Sequence, residues 1–404
     1  MNTVAVPTRR DAQPSVADVF VYAAAHIHRA AAAIWPDQSV SLECHVPSVT
    51  GYVQQARIGE RLLYAKTSLL GVSLVSLLRG TRGTWSTVLE AQQEYQNRQD
   101  GLLHREAAQL RLLAEMGGPR TCRLAALRTG VIFTEPVPGP TLGELLLEHP
   151  GDTAVLLDRT FTELRPLHRP GAARQLAAVG VIEEHSIAGT FLRKFNGLSG
   201  TLYMDRLAEC RNKAEQRQEM LQLVHRSVGR LRRLRMRLPL ADGTSLAYGD
   251  LKPEHMTFPD GIDGRPVFLD PGLLRASRMV DIAKLVSRTV LTLTAHRPEA
   301  SVVHQVLHGL DVFVKSQVPT LSGRERLLWL QNLMTLWLLD TVNIMTTYLS
   351  APSALPLPRV GTALMDRVVP VFSMVASISA DLESSTTVRG TWEGALNDAL
   401  VVVS

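Results

Sequence analysis

Two short apolar runs that each end in an aspartate constrain this 404-residue chain more than any other feature. The first run ends at Asp250, with Lys252 two residues later and His255 five residues later. The second run ends at Asp270, which is followed by a proline and a glycine. An apolar run that stops at turn-forming residues is typical of a buried strand. Taken alone, the pattern therefore indicates two hydrophobic strands, each of which delivers a polar side chain at its end.

The composition is that of a folded protein, with 45% hydrophobic and 20% charged residues. The three cysteines, Cys44, Cys122 and Cys210, are far apart and form no CxxC pair, so neither a disulfide framework nor a thiolate zinc site is expected. The N-terminal residues lack the apolar core of a secretory signal, and apolar runs such as 368–380 are shorter than the roughly 20 residues that a bilayer requires. We expect a cytoplasmic protein with no membrane partner.

Hydrophobic periodicity divides the chain into two parts. Residues 16–35 and 102–116 have helical spacing, whereas short β-rich runs occur at 41–46, 52–58, 61–66 and twice within 124–135. A helix is expected to begin near Thr141, and the sequence beyond residue 273 is almost wholly helical in pattern. These observations predict an α+β protein. Residues 1–138 form a small N-terminal lobe with an antiparallel sheet, and residues 139–404 form a larger, mostly helical lobe.

The order of these motifs, from about residue 40 to residue 288, resembles the aminoglycoside phosphotransferase-like families. The resemblance implies a two-lobed protein kinase-like fold and transfer of phosphate from ATP to a hydroxyl, with Mg²⁺. It implies that Asp250 meets the attacking hydroxyl and that Lys252 offsets charge on the moving phosphoryl group. Asp270 and His255 would hold the metal. His255 replaces the asparagine of the family, and an imidazole is a poorer magnesium ligand than an amide oxygen. A pseudokinase-like scaffold that binds peptides therefore stays open.

The resemblance also implies a nucleotide site in the N-terminal lobe. Lys66 would grip the phosphates, and Glu106 would pair with that lysine, although an ordinary exposed helix charge is an equal alternative for Glu106. Lysine is rare in this chain, so a lysine seldom falls at a motif position such as residue 66 by chance. The loop residues Ser48, Thr50 and Gly51 would cover the phosphates, and a plain hairpin loop is the alternative for them. Adenine would form hydrogen bonds with the backbone near the hinge residues Glu135 and Val137.

Asp281 lies in a helical segment that follows Asp270 in the sequence. It resembles a family aspartate that braces the catalytic loop, and a helix N-terminal cap is an equally good interpretation.

The acceptor is suggested by a basic stretch, residues 206–237, from which Arg230 and Arg233 are candidate substrate contacts. The stretch is either a solvated helix face or a surface for an anionic acceptor, and residues 186–200 are expected to form a glycine-hinged loop near it. These features resemble the kinase-like proteins that accompany lyases in lanthipeptide and thioamide-peptide biosynthesis. That resemblance implies phosphorylation of a Ser or Thr in a precursor peptide, before elimination by a partner lyase. Phosphorylation of a small molecule such as an antibiotic is the alternative, and no nucleic-acid partner is expected.

Overall fold

The computed structural model describes residues 12–207, 214–238, 244–384 and 388–403. These residues form two compact units. The first comprises residues up to Arg111 together with Cys122–Pro136 and Ser350–Pro358, and the second comprises Leu112–Thr121, Val137–Leu349 and the residues from Arg359 onward. The chain passes from the first unit to the second between Pro136 and Val137, and the lobe boundary after residue 138 stays a prediction.

The described strands of the first unit form a five-stranded antiparallel sheet in the order β1-β2-β3-β5-β4. The β2–β3 turn is tight because Gly59 adopts a positive φ of 58°, which a glycine tolerates without strain. In the register, Lys66 pairs with Val53 on one side and with Ile132 on the other. The strands are β1 Val40–Val46, β2 Tyr52–Ile58, β3 Arg61–Thr67, β4 Leu124–Arg128 and β5 Val131–Thr134.

Helix α1 covers one face of this sheet. Ser15 caps its first turn, and Ala23, Ile27 and Ala31 pack into a core that includes Phe133 of β5. The helical pattern predicted for residues 16–35 is therefore confirmed. The helices that begin in the first unit are α1 Val16–Ile34, α2 Leu74–Leu78, α3 Trp85–Tyr95 and α4 Leu102–Glu115.

The second unit is mostly helical, and its described strands form two short antiparallel pairs. Strand β6 Leu246–Ala247 pairs with β9 Leu274–Arg275, and β7 Met256–Thr257 pairs with β8 Val267–Phe268. The helices are α5 Leu142–Glu148, α6 Thr153–Glu163, α7 Arg165–His168, α8 Ile187–Phe195, α9 Gly197–Leu207, α10 Ala214–Arg235, α11 Met279–His296, α12 Ala300–Ser316, α13 Gly323–Leu349, α14 Arg359–Leu364, α15 Val368–Ser384 and α16 Val388–Val403.

The prediction of a loop at residues 186–200 is wrong, because this segment forms α8 and the start of α9. Ser186 caps α8, and Ile187, Phe191 and Phe195 recur at a spacing of four residues and are buried. This apolar stripe outweighs the glycines that suggested a hinge. The predicted fold class, α+β with a small antiparallel sheet and a larger helical part, is confirmed.

One helical stretch of the described chain, Arg359–Ser384, is long and apolar enough to cross a membrane by length and composition alone. It is longer than the apolar run 368–380 from which no span was expected. Of its apolar window, 44% is buried, and α15 packs against α10, α13 and α16. A core helix of a soluble protein has the same properties, so the stretch is weak support for a membrane span.

Candidate functional site

Strand pairing in the second unit brings the two aspartate-ended runs together. The Gly272 amide donates to the Tyr248 carbonyl at 3.1 Å, and the Leu269 amide donates to the His255 carbonyl at 2.8 Å. Gly249 has a φ of 83°, and a Cβ at this position would lie 2.1 Å from the Gly272 carbonyl oxygen. Only glycine fits such an approach. The two loops that carry Asp250 and Asp270 are therefore fixed against each other by backbone contacts.

Asp250 is buried, and cationic side chains hold both of its carboxylate oxygens. Lys284 Nζ donates to Oδ1 at 2.9 Å, and Lys252 Nζ lies 2.7 Å from Oδ2. His185 Nδ1 lies 3.4 Å from Oδ1. Burial by itself raises the pKa of the Asp250 carboxyl, but the charges of the two lysines and of His185 outweigh burial and hold that pKa well below its usual range. The carboxylate is therefore ionised and fixed in direction.

Asp281 braces the backbone just before Asp250. Its carboxylate accepts hydrogen bonds from the amides of Tyr248 at 2.8 Å and Gly249 at 2.9 Å, and His168 Nε2 lies 3.0 Å from the same carboxylate. The Tyr248 hydroxyl donates to the Leu269 carbonyl at 2.8 Å. Asp281 lies in the first turn of α11, but its oxygens accept from the backbone of the loop that carries Asp250. The bracing interpretation is therefore favoured over a helix cap.

His255 and Asp270 lie beside Asp250. The His255 Nδ1 atom is 3.6 Å from Asp250 Oδ2, and its Nε2 atom is 3.9 Å from Asp270 Oδ2. Burial, and then the charge of Lys252, lower the pKa of His255 against the opposing effect of nearby carboxylates. Its imidazole is therefore neutral near pH 7 and can act as a ligand. Asp270 adopts a φ of 51°, a left-handed conformation that is uncommon outside glycine and occurs at functional sites.

The donor set can be compared with the needs of Mg²⁺. Among the described residues, no group of three or more His, Cys, Asp or Glu side chains forms a metal site. Mg²⁺ in nucleotide enzymes is usually held by one or two carboxylates together with phosphate oxygens and water. The Asp270 carboxylate, with the neutral His255 imidazole 3.9 Å away, fits such an incomplete set. A nucleotide would have to supply the other ligands.

The first unit pairs Lys66 with Glu106. Lys66 Nζ donates to both carboxylate oxygens of Glu106, at 3.0 and 2.9 Å, and the Glu106 side chain is only 4% exposed. The pair thus joins the end of β3 to α4. The exposed-charge alternative for Glu106 does not hold in the structure. A carboxylate held this way directs the lysine ammonium group, as the prediction for a phosphate-binding lysine requires.

The loop between β1 and β2 lies beside Lys66. A Cβ at Gly51 would be 3.9 Å from Lys66 Cε, which is an ordinary van der Waals contact, and 3.3 Å from the Thr67 carbonyl oxygen, which is a tight one. The Ser48 hydroxyl accepts from the amides of Thr50 at 3.3 Å and Gly51 at 3.5 Å. These hydrogen bonds are long, so the two amides and the hydroxyls of Ser48 and Thr50 are available to donate to a phosphate. That role stays a prediction.

The predicted hinge residues have different surroundings. The Glu135 amide donates to the Arg123 carbonyl at 2.9 Å, and its carboxylate lies 3.3 Å from Arg61 and 3.5 Å from Arg123. Val137, where the chain enters the second unit again, is partly buried. Contact of either residue with adenine stays a prediction.

Arg230 and Arg233 both contact Glu383 on α15. Arg233 Nε donates to Glu383 Oε1 at 2.6 Å, and Arg230 Nε lies 3.9 Å from Glu383 Oε2. Arg230 also donates to the Ala376 carbonyl at 3.0 Å. Arg230 therefore joins α10 to α15, whereas Arg233 is largely exposed. Part of the basic stretch, residues 208–213, lies outside the described residues, and this part includes Arg211 and Lys213. The substrate role of the two arginines stays a prediction.

Sequence reasoning missed two residues that touch Asp250. Lys284 comes from α11 and His185 from the segment before α8. A signal for Lys284 was available, since it is one of few lysines in the chain and lies three residues after Asp281. His185 had no such signal, because its role depends on the packing of a distant segment.

No family model matches the chain, and no curated protein matches it. Solved structures with a similar fold include an ethanolamine kinase from Plasmodium vivax, with 11% identity over 83% of this chain and 84% of that chain and a TM-score of 0.44. A spectinomycin phosphotransferase solved with ADP and spectinomycin has 11% identity, coverage of 85% and 93%, and a TM-score of 0.43. A choline kinase from Streptococcus pneumoniae has 13% identity, coverage of 87% and 99%, and a TM-score of 0.41. Likenesses this distant carry no argument about activity, so a function has to be supported by the side chains themselves.

Proposed function

We propose that this chain is an ATP-dependent phosphotransferase that acts on an alcohol hydroxyl. The observation that carries the proposal is Asp250, a buried and ionised carboxylate that two lysines and a braced loop fix in direction. Such a carboxylate orients an incoming hydroxyl and takes its proton late in transfer. The acceptor oxygen forms a bond to the γ-phosphorus, the bond from that phosphorus to the β-phosphate oxygen breaks, and ADP leaves.

The other residues of the proposed machinery have separate tasks. Lys252, beside Asp250, offsets negative charge on the moving phosphoryl group. Lys66, directed by Glu106, binds the nucleotide phosphates. Asp270 and His255 would hold Mg²⁺ together with phosphate oxygens and water. The ion supplies charge neutralisation when it is bound.

For the acceptor, we propose a Ser or Thr hydroxyl in a precursor peptide, with elimination carried out by a partner lyase in the cytoplasm. Support comes from α10, which exposes Arg226, Arg232 and Arg233, and from Arg237, which is exposed just after the helix. An exposed cluster of arginines suits an acidic peptide segment.

A small-molecule alcohol is the second candidate for the acceptor. The ion pairs of Arg230 and Arg233 with Glu383 favour it, because these two positive charges are already compensated within the protein. A pseudokinase-like scaffold that binds peptides is the third candidate, and it is favoured by the histidine at position 255.

The test is mass spectrometry of acceptors incubated with the chain and Mg-ATP. One arm uses Ser- and Thr-containing peptides with acidic segments, and the other uses amino alcohols and aminoglycosides. A gain of one phosphate on the peptides supports the peptide proposal, whereas a gain only on the small molecules replaces it. Calorimetric binding of ATP with no transfer in either arm favours the scaffold. Absence of both binding and transfer refutes the proposed function.

Lys66→Met should weaken ATP binding, with exposed Lys315→Met as the matched control.

A further inference from the structure

Lys284 is a buried lysine at the proposed catalytic loop. Its ammonium group donates to the Gly249 carbonyl at 2.8 Å and to Asp250 Oδ1 at 2.9 Å, and its side chain is 6% exposed. Burying an ammonium group is costly unless its donors have partners and its charge is compensated. These two acceptors satisfy that requirement. The position of the Lys284 side chain is therefore tied to the position of Asp250.

Lys284 belongs to a polar face of α11. Asp281, Lys284 and Arg288 follow one another at spacings of three and four residues, which places them on the same side of the helix. Asp281 holds two backbone amides of the catalytic loop, and Lys284 holds the next carbonyl and the carboxylate of Asp250. Arg288 donates to Asp340 on α13 at 2.7 Å. The helix thus holds both the backbone and the side chain of the loop, and it is itself anchored.

The two lysines at Asp250 differ in origin and exposure. Lys252 lies on the same loop as Asp250, contacts Oδ2 and is 17% exposed, whereas Lys284 comes from another element, contacts Oδ1 and is 6% exposed. The more accessible lysine can change partners when a phosphoryl group arrives. The more deeply buried one cannot do so without leaving its charge unpaired. Lys252 is therefore suited to the moving group and Lys284 to fixing the carboxylate.

We infer that Lys284 is a positioning residue for phosphoryl transfer, which anchors Asp250 through Oδ1 so that Oδ2 meets the acceptor hydroxyl. The inference rests on the proposed function. Lys284 acts through Asp250, the residue that its ammonium group contacts. A misplacement of about 1 Å in a reacting group can cost about 100-fold in rate, so loss of the anchor should lower the rate of transfer without weakening nucleotide binding.

The kinetic test compares the wild-type chain with Lys284→Met, which removes the charge and keeps the length. The substrate is Mg-ATP, with transfer followed to the identified acceptor or to water. We expect kcat to fall about 10- to 100-fold while KM for ATP stays nearly constant. Lys284→Arg should recover part of kcat, and the matched control Lys315→Met, at an exposed lysine paired with Asp311, should behave like the wild type. An unchanged kcat in folded Lys284→Met, or a change in KM alone, overturns the inference.

A second measurement does not depend on turnover. Thermal unfolding of Lys284→Met, Asp250→Asn and the double variant forms a thermodynamic cycle. We expect the double variant to lose less thermal stability than the two single variants combined, because the residues interact directly. Additive losses would overturn the anchor. If the cycle shows coupling but the wild-type chain shows no turnover, the proposed function is refuted, and with it the catalytic part of the inference. If Lys284→Met does not fold, Lys284→Gln and Lys284→Arg take its place in both experiments.

Discussion

His255 is the residue at which the proposed metal site is least conventional. Its Nδ1 atom is buried without a hydrogen-bond partner among the described residues, and its Nε2 atom lies 3.9 Å from Asp270. Mn²⁺ accepts nitrogen ligands more readily than Mg²⁺ does. We therefore expect His255→Asn to keep transfer and to lower the ratio of the rate with Mn²⁺ to the rate with Mg²⁺. Calorimetry of ADP binding with each ion should show the same change.

The control for this substitution is His304→Asn, at an exposed histidine of α12, which should leave the ratio unchanged. Loss of turnover in His255→Asn with ADP binding intact would contradict ligation and indicate contact with the acceptor.

The candidate residues differ in how far the sequence could identify them. Asp250, Lys252, His255 and Asp270 were predictable because a local motif carries them and local strand pairing brings them together. Lys284 reaches Asp250 only through the packing of α11, which depends on contacts along the whole helix. Sequence periodicity predicts that this helix exists but does not predict which loop it meets.

At the scale of elements, the junction after β6 depends on Gly249. A Cβ there would meet the Gly272 carbonyl oxygen at 2.1 Å, and φ is 83°. We expect Gly249→Ala to lower the free energy of unfolding by about 2–4 kcal/mol, because the two loops must separate and the backbone is strained. Denaturant unfolding measures this loss. The matched control is Gly229→Ala within α10, where a Cβ meets nothing within 4 Å and should add about 0.5–1 kcal/mol of helix stability. Equal stabilities for the two variants would contradict this account.

The elements themselves were predicted with uneven success, for physical reasons. The strands of the first unit were located to within a residue or two because alternating side chains and a glycine turn define them locally. The segment 186–200 was misread because its glycines suggested a loop, whereas the buried stripe of Ile187, Phe191 and Phe195 determines a helix. Burial against α13 supplies the stabilisation that the local sequence does not reveal.

At the scale of the whole molecule, the buried pair Arg288–Asp340 makes stability depend on pH. Burial by itself raises the pKa of the Asp340 carboxyl, but the charges of Arg288 and Lys284 outweigh burial and lower it. A carboxyl with a lowered folded-state pKa stabilises the fold above its unfolded pKa of about 4, and that stabilisation is lost as pH falls through the folded pKa. We expect Asp340→Asn to lose about 3–5 kcal/mol at pH 7 and to lose less on acidification than the wild type does.

Thermal unfolding between pH 7 and pH 3 checks this prediction. Asp100→Asn, which removes an exposed carboxylate paired with Arg98, is the matched control and should change stability little at any pH. A loss on acidification that is as steep in Asp340→Asn as in the wild type would show that other groups control the acid limit.

Transfer from γ-labelled ATP by the wild type and by Asp250→Asn measures most directly whether this chain moves a phosphoryl group with Asp250 at the acceptor hydroxyl. The amide keeps the shape of the side chain and removes its capacity to take a proton. We predict that kcat falls at least about 100-fold while the calorimetric affinity for Mg-ATP stays within about twofold. Turnover that survives in Asp250→Asn, with the same acceptor, would contradict the account.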